Sequence, residues 1–399
     1  MDHPAPNSLS QIGLRVLPGT ASPTDPPTAP PKAHLLGLSP DELKAWVASD
    51  LQQPAWRAGQ ILEWIYRKDA RDFAAMSNLA AALREQLREQ AMIYAGSVAR
   101  ESVSEAGDGT TKLLVQWPDA ATVECVWIPT DERDTACISS QVGCPVGCRF
   151  CASGLDGVVR NLTAGEIVEQ ALLIRSRIRA AANDPAARLD NIVFMGMGEP
   201  LANYDNVVRA IRILNHPDAF GLGARKITLS TVGLPVQIRR LAEEGVQLNL
   251  ALSLHAPNET LRRELIPWGK VPLPDLLDAC RYYFEKTGRE ITLEYILLRD
   301  VNMSSQHARE LAEVARSLRC NINLLRYNPV PGLPFVRPSA EEAVRFQAAL
   351  RQRGVNAHTR RSRGRRIDAA CGQLRRSTIA AGVDSNSAGS SSSSEFPTP

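Results

Sequence analysis

Apolar residues between positions 34 and 95 recur at helical spacing, and the segment opens on a helix start. Ser39-Pro40-Asp41-Glu42 supplies an N-cap serine, a proline at the first helical position and a glutamate three residues on that closes a capping box. Helical patterning continues through Gln60-Ile61-Leu62-Glu63-Trp64-Ile65-Tyr66 to Leu83 and Leu87, which predicts a small helical module over 34–95. From about Thr111 the period changes to that of strands, at 112–115 and 122–128. From Thr135 onward strand and helix patterns alternate. A strand at 135–140 runs into a Cys-rich loop and then a helix opened by the capping box Thr163-Ala164-Gly165-Glu166. A strand at 191–195 and a helix at 204–214 follow, then strands at 226–230, 247–254, 291–298 and 321–325 with helices between them. These make six βα units, which predict an α/β fold with parallel strands and right-handed crossovers. Six units are two short of an eight-fold barrel, so the expected architecture is an open, partial (β/α)6 barrel with a small N-terminal helical domain. Its mouth would be wide enough for a large substrate.

Composition adds the limits. With 399 residues, a 44% hydrophobic share and a net charge of +3, the chain is neither wholly disordered, collagenous nor coiled-coil. Without an apolar run of about 18 residues or a secretory start, a soluble cytoplasmic protein with no membrane partner is expected. Residues 1–33 hold 8 of the 27 prolines and residues 377–399 are Ser-rich, so both ends read as disordered tails around a catalytic domain at 96–376. The near-neutral charge hides an asymmetry. Between 351 and 376 there are nine arginines and one aspartate, a local net charge of +8.

The eight cysteines carry the chemistry. Cys144, Cys148 and Cys151 form a CxxxCxxC loop whose glycines let successive sulfurs turn inward around one cluster. A [4Fe–4S] cluster held by three cysteines keeps one iron open, the mark of a reactive site; structural zinc with Cys137 or Cys125 as fourth ligand is the alternative. The other strand ends bring Gly196-Met197-Gly198-Glu199-Pro200, Ser230, Ser253-Leu254-His255 and Asn328-Pro329. In a βα barrel these ends converge on one site.

The CxxxCxxC loop with Phe150 before its third cysteine, and the Gly-Glu-Pro turn, resemble the radical S-adenosylmethionine superfamily. The strings Ser139-Ser140-Gln141-Val142-Gly143-Cys144, Gly196-Met197-Gly198-Glu199-Pro200, Leu252-Ser253-Leu254-His255-Ala256 and Ala369-Ala370-Cys371-Gly372-Gln373-Leu374 are similar to the RlmN/Cfr family of RNA adenosine methyltransferases. The resemblance spans roughly residues 35–380. It implies that Cys144, Cys148 and Cys151 hold the cluster, and that Gly198, Glu199, Ser230, Ser253, Leu254, His255 and Asn328 bind S-adenosylmethionine, consumed twice per turnover. It further implies that Cys371 takes a methyl group from one S-adenosylmethionine and that the 5′-deoxyadenosyl radical from a second removes hydrogen from it. The carbon radical then adds to the adenine ring, and Cys137 resolves the resulting protein–RNA crosslink through a transient disulfide with Cys371. Glu124, within Val123-Glu124-Cys125-Val126, matches the family's proton acceptor, while Cys125, Cys280 and Cys320 match no motif and are assigned to packing.

The implied product is an adenosine methylated at carbon 2, in 23S rRNA and in tRNA beside the anticodon. Methylation at carbon 8, the family's other branch, uses the same parts. A third reading is a non-catalytic iron–sulfur or zinc RNA-binding module in which Cys137 and Cys371 are incidental. The arginines around Cys371 suit phosphates and splayed bases, and the 34–95 module is the second candidate RNA contact. An electron donor such as flavodoxin or ferredoxin completes the expected partners of a monomer.

Overall fold

A computed structural model describes residues 32–375, with residues 106, 269, 270 and 361 excepted. The two tails expected at the chain ends fall outside the described residues, apart from Lys32 and Ala33. The chain enters through β1 (Ala33–His34), α1 (Pro40–Ser49), α2 (Arg57–Leu62), α3 (Ala81–Gln90) and β2 (Ala91–Met92), which pairs in parallel with β1. Helix α1 begins as the sequence predicts: the Ser39 hydroxyl accepts from the Glu42 amide at 3.3 Å, and the Glu42 carboxylate accepts from the Ser39 amide at 2.8 Å. Leu43, Val47, Ile61, Ile65, Leu83 and Leu87 are buried, as the helical spacing requires.

Four strands follow, β3 (Ser97–Val103), β4 (Thr111–Gln116), β5 (Thr122–Pro129) and β6 (Asp134–Cys137), paired antiparallel in sequence. A short ribbon of β7 (Gln141–Gly143) and β8 (Val158–Asn161) brackets the Cys-rich loop. The alternating part then runs α4 (Ala164–Ala182), β9 (Asn191–Phe194), α5 (Tyr204–Asn215), β10 (Ile227–Thr231), α6 (Pro235–Glu243), β11 (Asn249–Ser253), α7 (Glu259–Leu265), α8 (Leu273–Thr287), β12 (Ile291–Leu297), α9 (Ser305–Arg316), β13 (Cys320–Arg326), α10 (Ala340–Arg351) and β14 (Ala357–Arg360). The Thr163–Glu166 capping box opens α4 as expected.

One ten-stranded sheet results, in the order β14-β13-β12-β11-β10-β9-β6-β5-β4-β3. Every pairing from β6 to β14 is parallel, so the six expected βα units are present and the barrel stays open. Leu250, Ala251 and Leu252 of β11 are all fully buried, as befits a parallel strand covered on both faces. Two details differ from the sequence expectation. The predicted strand at 135–140 ends at Cys137, because the Ser139 amide leaves the ladder to donate to the Gln170 side chain at 2.8 Å. A seventh parallel strand, β14, lies inside the arginine-rich window, where the polar residues His358-Thr359-Arg360 conceal it.

After β14 the chain crosses to the antiparallel edge of the sheet. The Arg363 guanidinium donates to the carbonyls of Pro129 at 2.7 Å and Asp108 at 3.3 Å, and the Gly364 amide donates to the Asp108 carboxylate at 3.1 Å. Gly364 sits at φ +68°, and a Cβ there would come within 2.8 Å of Thr110. Residues 362–375 therefore form a strap over the mouth of the barrel.

The N-terminal helices are fastened to the barrel by polar contacts, some of them buried. Glu169 of α4, fully buried, accepts from the amides of Ala95 at 2.8 Å and Gly96 at 2.9 Å and faces His34 Nε2 at 3.3 Å. Arg209 of α5 donates to the Gly37 carbonyl and to Glu42, each at 2.7 Å. Replacing Glu169 by Ala strands two amide donors, so the Glu169→Ala protein is expected to lose about 3 kcal/mol of stability. Urea unfolding with an unchanged midpoint would refute this.

Candidate active site

At the carboxyl ends of the parallel strands lies a cavity of about 420 Å³. Cys144, Cys148 and Cys151 face it from the loop after β7, Cys137 from the end of β6, and Cys371 from the strap. Gly198, Glu199, Ser230, Ser253, His255 and Asn328 line it as well. Two expected residues do not. Leu254 is fully buried in the core, with its amide bonded to the carbonyls of Leu252 and Glu294, and does not face the cavity. Glu124 lies behind the wall.

The cysteine loop is shaped by backbone constraints. Gly143 has φ +82°, and a Cβ there would meet the Gly157 carbonyl at 2.0 Å, so only glycine lets β7 close on β8. The Cys144 amide donates to Gly157, the Cys151 amide to Cys148 and the Arg149 amide to Leu265, each at 3.0 Å. Phe150 packs edge-on against the His255 ring, with centroids 4.9 Å apart. Burial pushes the Cys144 thiol up to about 12 and Cys148 and Cys151 up as well, and neighbouring sulfurs add to it. Metal coordination reverses that shift by binding the thiolate. Three cysteine thiols facing one cavity can together hold a polynuclear iron–sulfur group.

The opposite wall is polar and preorganised. Gly198 has φ +102°, and a Cβ there would meet Ser140 Oγ and Gln141 Cβ at 2.7 Å. The Glu199 amide donates to Gln141 Oε1 at 2.8 Å, and its carboxylate accepts from the amides of Leu201 at 3.0 Å and Val232 at 2.9 Å. The hydroxyls of Ser230 and Ser253 lie 3.2 Å apart. His255 adopts a left-handed backbone with φ +58°, and its Nδ1 accepts from the Ile296 amide at 3.1 Å, which leaves Nε2 as the N–H. Burial, helped by Arg262, pulls this imidazole down to about 3, so it stays neutral. Asn328 donates to the Cys371 carbonyl at 3.2 Å and accepts from Arg337 at 2.7 Å, which ties this wall to the strap.

Cys137 and Cys371, distant in sequence, share this space. Burial, with Cys371 close by, pushes the Cys137 thiol up to about 12. Arg360 of β14 faces both sulfurs and Glu294, and donates to Met195 Sδ at 3.8 Å. Glu294 is buried, one oxygen accepting from Asn323 at 3.1 Å and the other without a protein partner. In the sequence Arg360 stands only as one member of a charge run, and Glu294 is signalled only as a lone glutamate in the apolar strand Ile291–Leu297.

The arginine window proves divided rather than uniformly exposed. Arg360 faces the cavity, Arg363 anchors the strap, Arg351 and Arg353 bond to nearby carbonyls, and Arg375 pairs with Asp156 at 3.1 Å. Arg365 and Arg366 are exposed, whereas Arg361 and Arg376 lie outside the described residues. Arg337 is pulled down to about 10 by burial and by Arg326 and Arg365 beside it, a concentration of positive charge at the cavity rim. Cys125, Cys280 and Cys320 are packed in or against the core, and Cys125 does not face the cavity.

Two family models match the chain: the Ribosomal RNA large subunit methyltransferase N-terminal domain over residues 33–93, and the Radical SAM superfamily over residues 138–312. A Rhodopirellula baltica protein named probable dual-specificity RNA methyltransferase RlmN is 47% identical over 350 residues, covering 88% of this chain and 92% of that protein. A protein of the same name from Geobacillus kaustophilus is 44% identical, covering 87% of this chain and 94% of its own length. The crystal structure of a radical SAM methyltransferase from Sphaerobacter thermophilus matches with a TM-score of 0.83 and 45% identity, over 86% of this chain and 99% of that one.

The thiol environment makes a direct prediction. In the reduced native protein, iodoacetamide near neutral pH should alkylate Cys137 at least about 10²-fold more slowly than in the unfolded chain, because each pKa unit is a factor of ten in thiolate. The rate should climb as pH rises toward the raised value. Equal labelling of native and unfolded protein, read by peptide mass spectrometry, would contradict it.

Proposed function

The chain belongs to the RlmN family of radical S-adenosylmethionine RNA methyltransferases, and from that premise we propose that it methylates carbon 2 of an adenosine in 23S rRNA and in tRNA beside the anticodon. The observation that carries the proposal is the single cavity onto which Cys137, Cys371 and the three loop cysteines all open. Cys144, Cys148 and Cys151 would hold a [4Fe–4S] cluster, and Gly198, Glu199, Ser230, Ser253, His255 and Asn328 would hold S-adenosylmethionine. When bound, these groups supply the electron, the methyl group and the hydrogen-abstracting radical, two molecules of S-adenosylmethionine being used per turnover.

The chain's own residues divide the remaining work. Cys371 takes the methyl group on sulfur and presents it to the adenine. Glu124 removes the ring proton. Cys137 forms a disulfide with Cys371 and so releases the RNA; the closeness of Cys371 to the buried Cys137 in one cavity supports this pairing. Neutral His255 offers an N–H donor without adding charge to the cofactor wall. Arg326, Arg337 and Arg365 at the rim suit the RNA backbone, and the adenine must leave its stack to enter. The segment 34–95 acts as an accessory RNA-contacting domain beside the catalytic domain at 96–376. The enzyme works as a monomer in the cytoplasm with a flavodoxin- or ferredoxin-like electron donor. No helix among the described residues is long and apolar enough to cross a membrane.

Mass spectrometry of rRNA and tRNA from cells with and without the protein tests the proposal. A 2-methyladenosine that disappears with the protein supports it, while 8-methyladenosine would move the activity to the family's other branch. The anaerobically reconstituted protein should release 5′-deoxyadenosine from S-adenosylmethionine, which a non-catalytic RNA-binding module would not. Replacing Cys137 by Ala should trap a covalent protein–RNA adduct; free, normally methylated RNA from that variant would remove Cys137 from its role.

A further inference from the structure

The proposed proton acceptor does not stand alone behind the cavity wall. Lys112 of β4 and Glu124 of β5 lie on one face of the antiparallel edge, since Lys112 opposes Val126 and Glu124 opposes Leu114. Both side chains are buried, and the Lys112 ammonium meets Glu124 Oε1 at 2.9 Å. The same ammonium donates to the Asp368 carbonyl at 3.2 Å, and Glu124 Oε2 accepts from the Arg375 amide at 3.0 Å. Asp368 and Arg375 bracket Cys371 on the strap, three residues before it and four after.

Resting on the reading of Glu124 as proton acceptor, we propose that Lys112 is the positioning residue for proton removal, tying the Glu124 carboxylate to the strap that carries Cys371. The step it serves is a plain proton transfer. The ring C–H bond breaks, its electron pair stays with the ring, and the proton passes to a Glu124 oxygen. Oε2 must exchange its Arg375 amide to take that proton. Lys112 keeps Oε1 meanwhile, so the carboxylate pivots about the ammonium toward the strap. A buried carboxylate without this partner would carry an unbalanced charge and lose its aim. Lysine, with its compact charge on a flexible stem, serves two acceptors in different directions at once.

A Cys137→Ala background reads the step directly, because the adduct is then not released and its hydrogen content reports whether the ring proton has gone. The substrate is a 23S rRNA fragment with deuterium on carbon 2 of its adenosines, given to the reconstituted holoenzyme. The C137A protein should yield an adduct that has lost deuterium, and C137A with Glu124→Gln an adduct that keeps it. C137A with Lys112→Met is expected to behave like the Glu124 variant, losing deuterium about 10²-fold more slowly, at the low end of what a positioned base contributes. Lys112→Arg, which preserves the charge, should fall between the two. Deuterium loss at the C137A rate from the Lys112→Met protein overturns the proposal. Should thermal melting show that this variant does not fold, Lys112→Arg decides: slowed loss supports the proposal, and an unchanged rate overturns it. Deuterium loss from the Glu124→Gln adduct would instead overturn the proton-acceptor reading, and absence of any C137A adduct the crosslinking chemistry itself.

Discussion

The structure depends on a strap held across an open barrel. Seven parallel strands do not close on themselves, and the sheet continues instead into the antiparallel strands β5, β4 and β3. Cys371 faces Cys137 only because residues 362–375 leave β14 and return over the mouth to that antiparallel edge. Ala369 and Leu374 add the strap to the core, and charged and polar groups, chiefly Asp108, Lys112, Glu124 and Arg363, hold it to that edge. Such contacts are directional. They fix the register of the strap against that edge.

Burial and charge oppose each other throughout the cavity. Removing thiols from water favours their neutral form, and Cys137, Cys144, Cys148 and Cys151 all respond in that direction. Thiols that must attack as thiolates need a compensating charge. Arg360 supplies a fixed guanidinium beside Cys137 and Cys371, and beside it lies buried Glu294, whose carboxyl burial pushes up. The imidazole of His255, held neutral, contributes hydrogen bonding without adding charge.

How legible this was depended on whether a feature is local. Capping boxes at Ser39 and Thr163 and the periodicity of six βα units were readable, because each rests on residues a turn or a strand apart. The strand ends could be gathered into one site because a parallel barrel places them together whatever the crossovers contain. Strand β14 escaped notice because its partner β13 supplies the pairing that its polar residues do not advertise. Leu254 belonged to a recognisable string, yet alternation along the chain turns it into the core. Lys112 and Glu124 each broke an apolar strand, a paired signal, but nothing local linked them to a carbonyl at position 368.

The placement of the strap explains why the proposed base lies outside the barrel. A carboxylate on a parallel strand would sit on the cofactor wall beside Glu199 and Glu294, adding a third buried acid to that region. On β5 it is balanced by Lys112 from the adjacent strand and reached by the strap's own Arg375 amide. The strap also bonds to the cluster loop, where the Ala152 amide donates to the Gly372 carbonyl at 2.8 Å and Ser153 Oγ to the Leu374 carbonyl at 2.7 Å. Its few residues thus touch the cysteine loop, the proposed cofactor wall through Asn328, and the proposed base through Lys112. These contacts add to the direct ones between the parts, such as Phe150 against His255 and Ser139 Oγ to the Glu124 carbonyl, so the segment that carries Cys371 also joins the separate parts of the site.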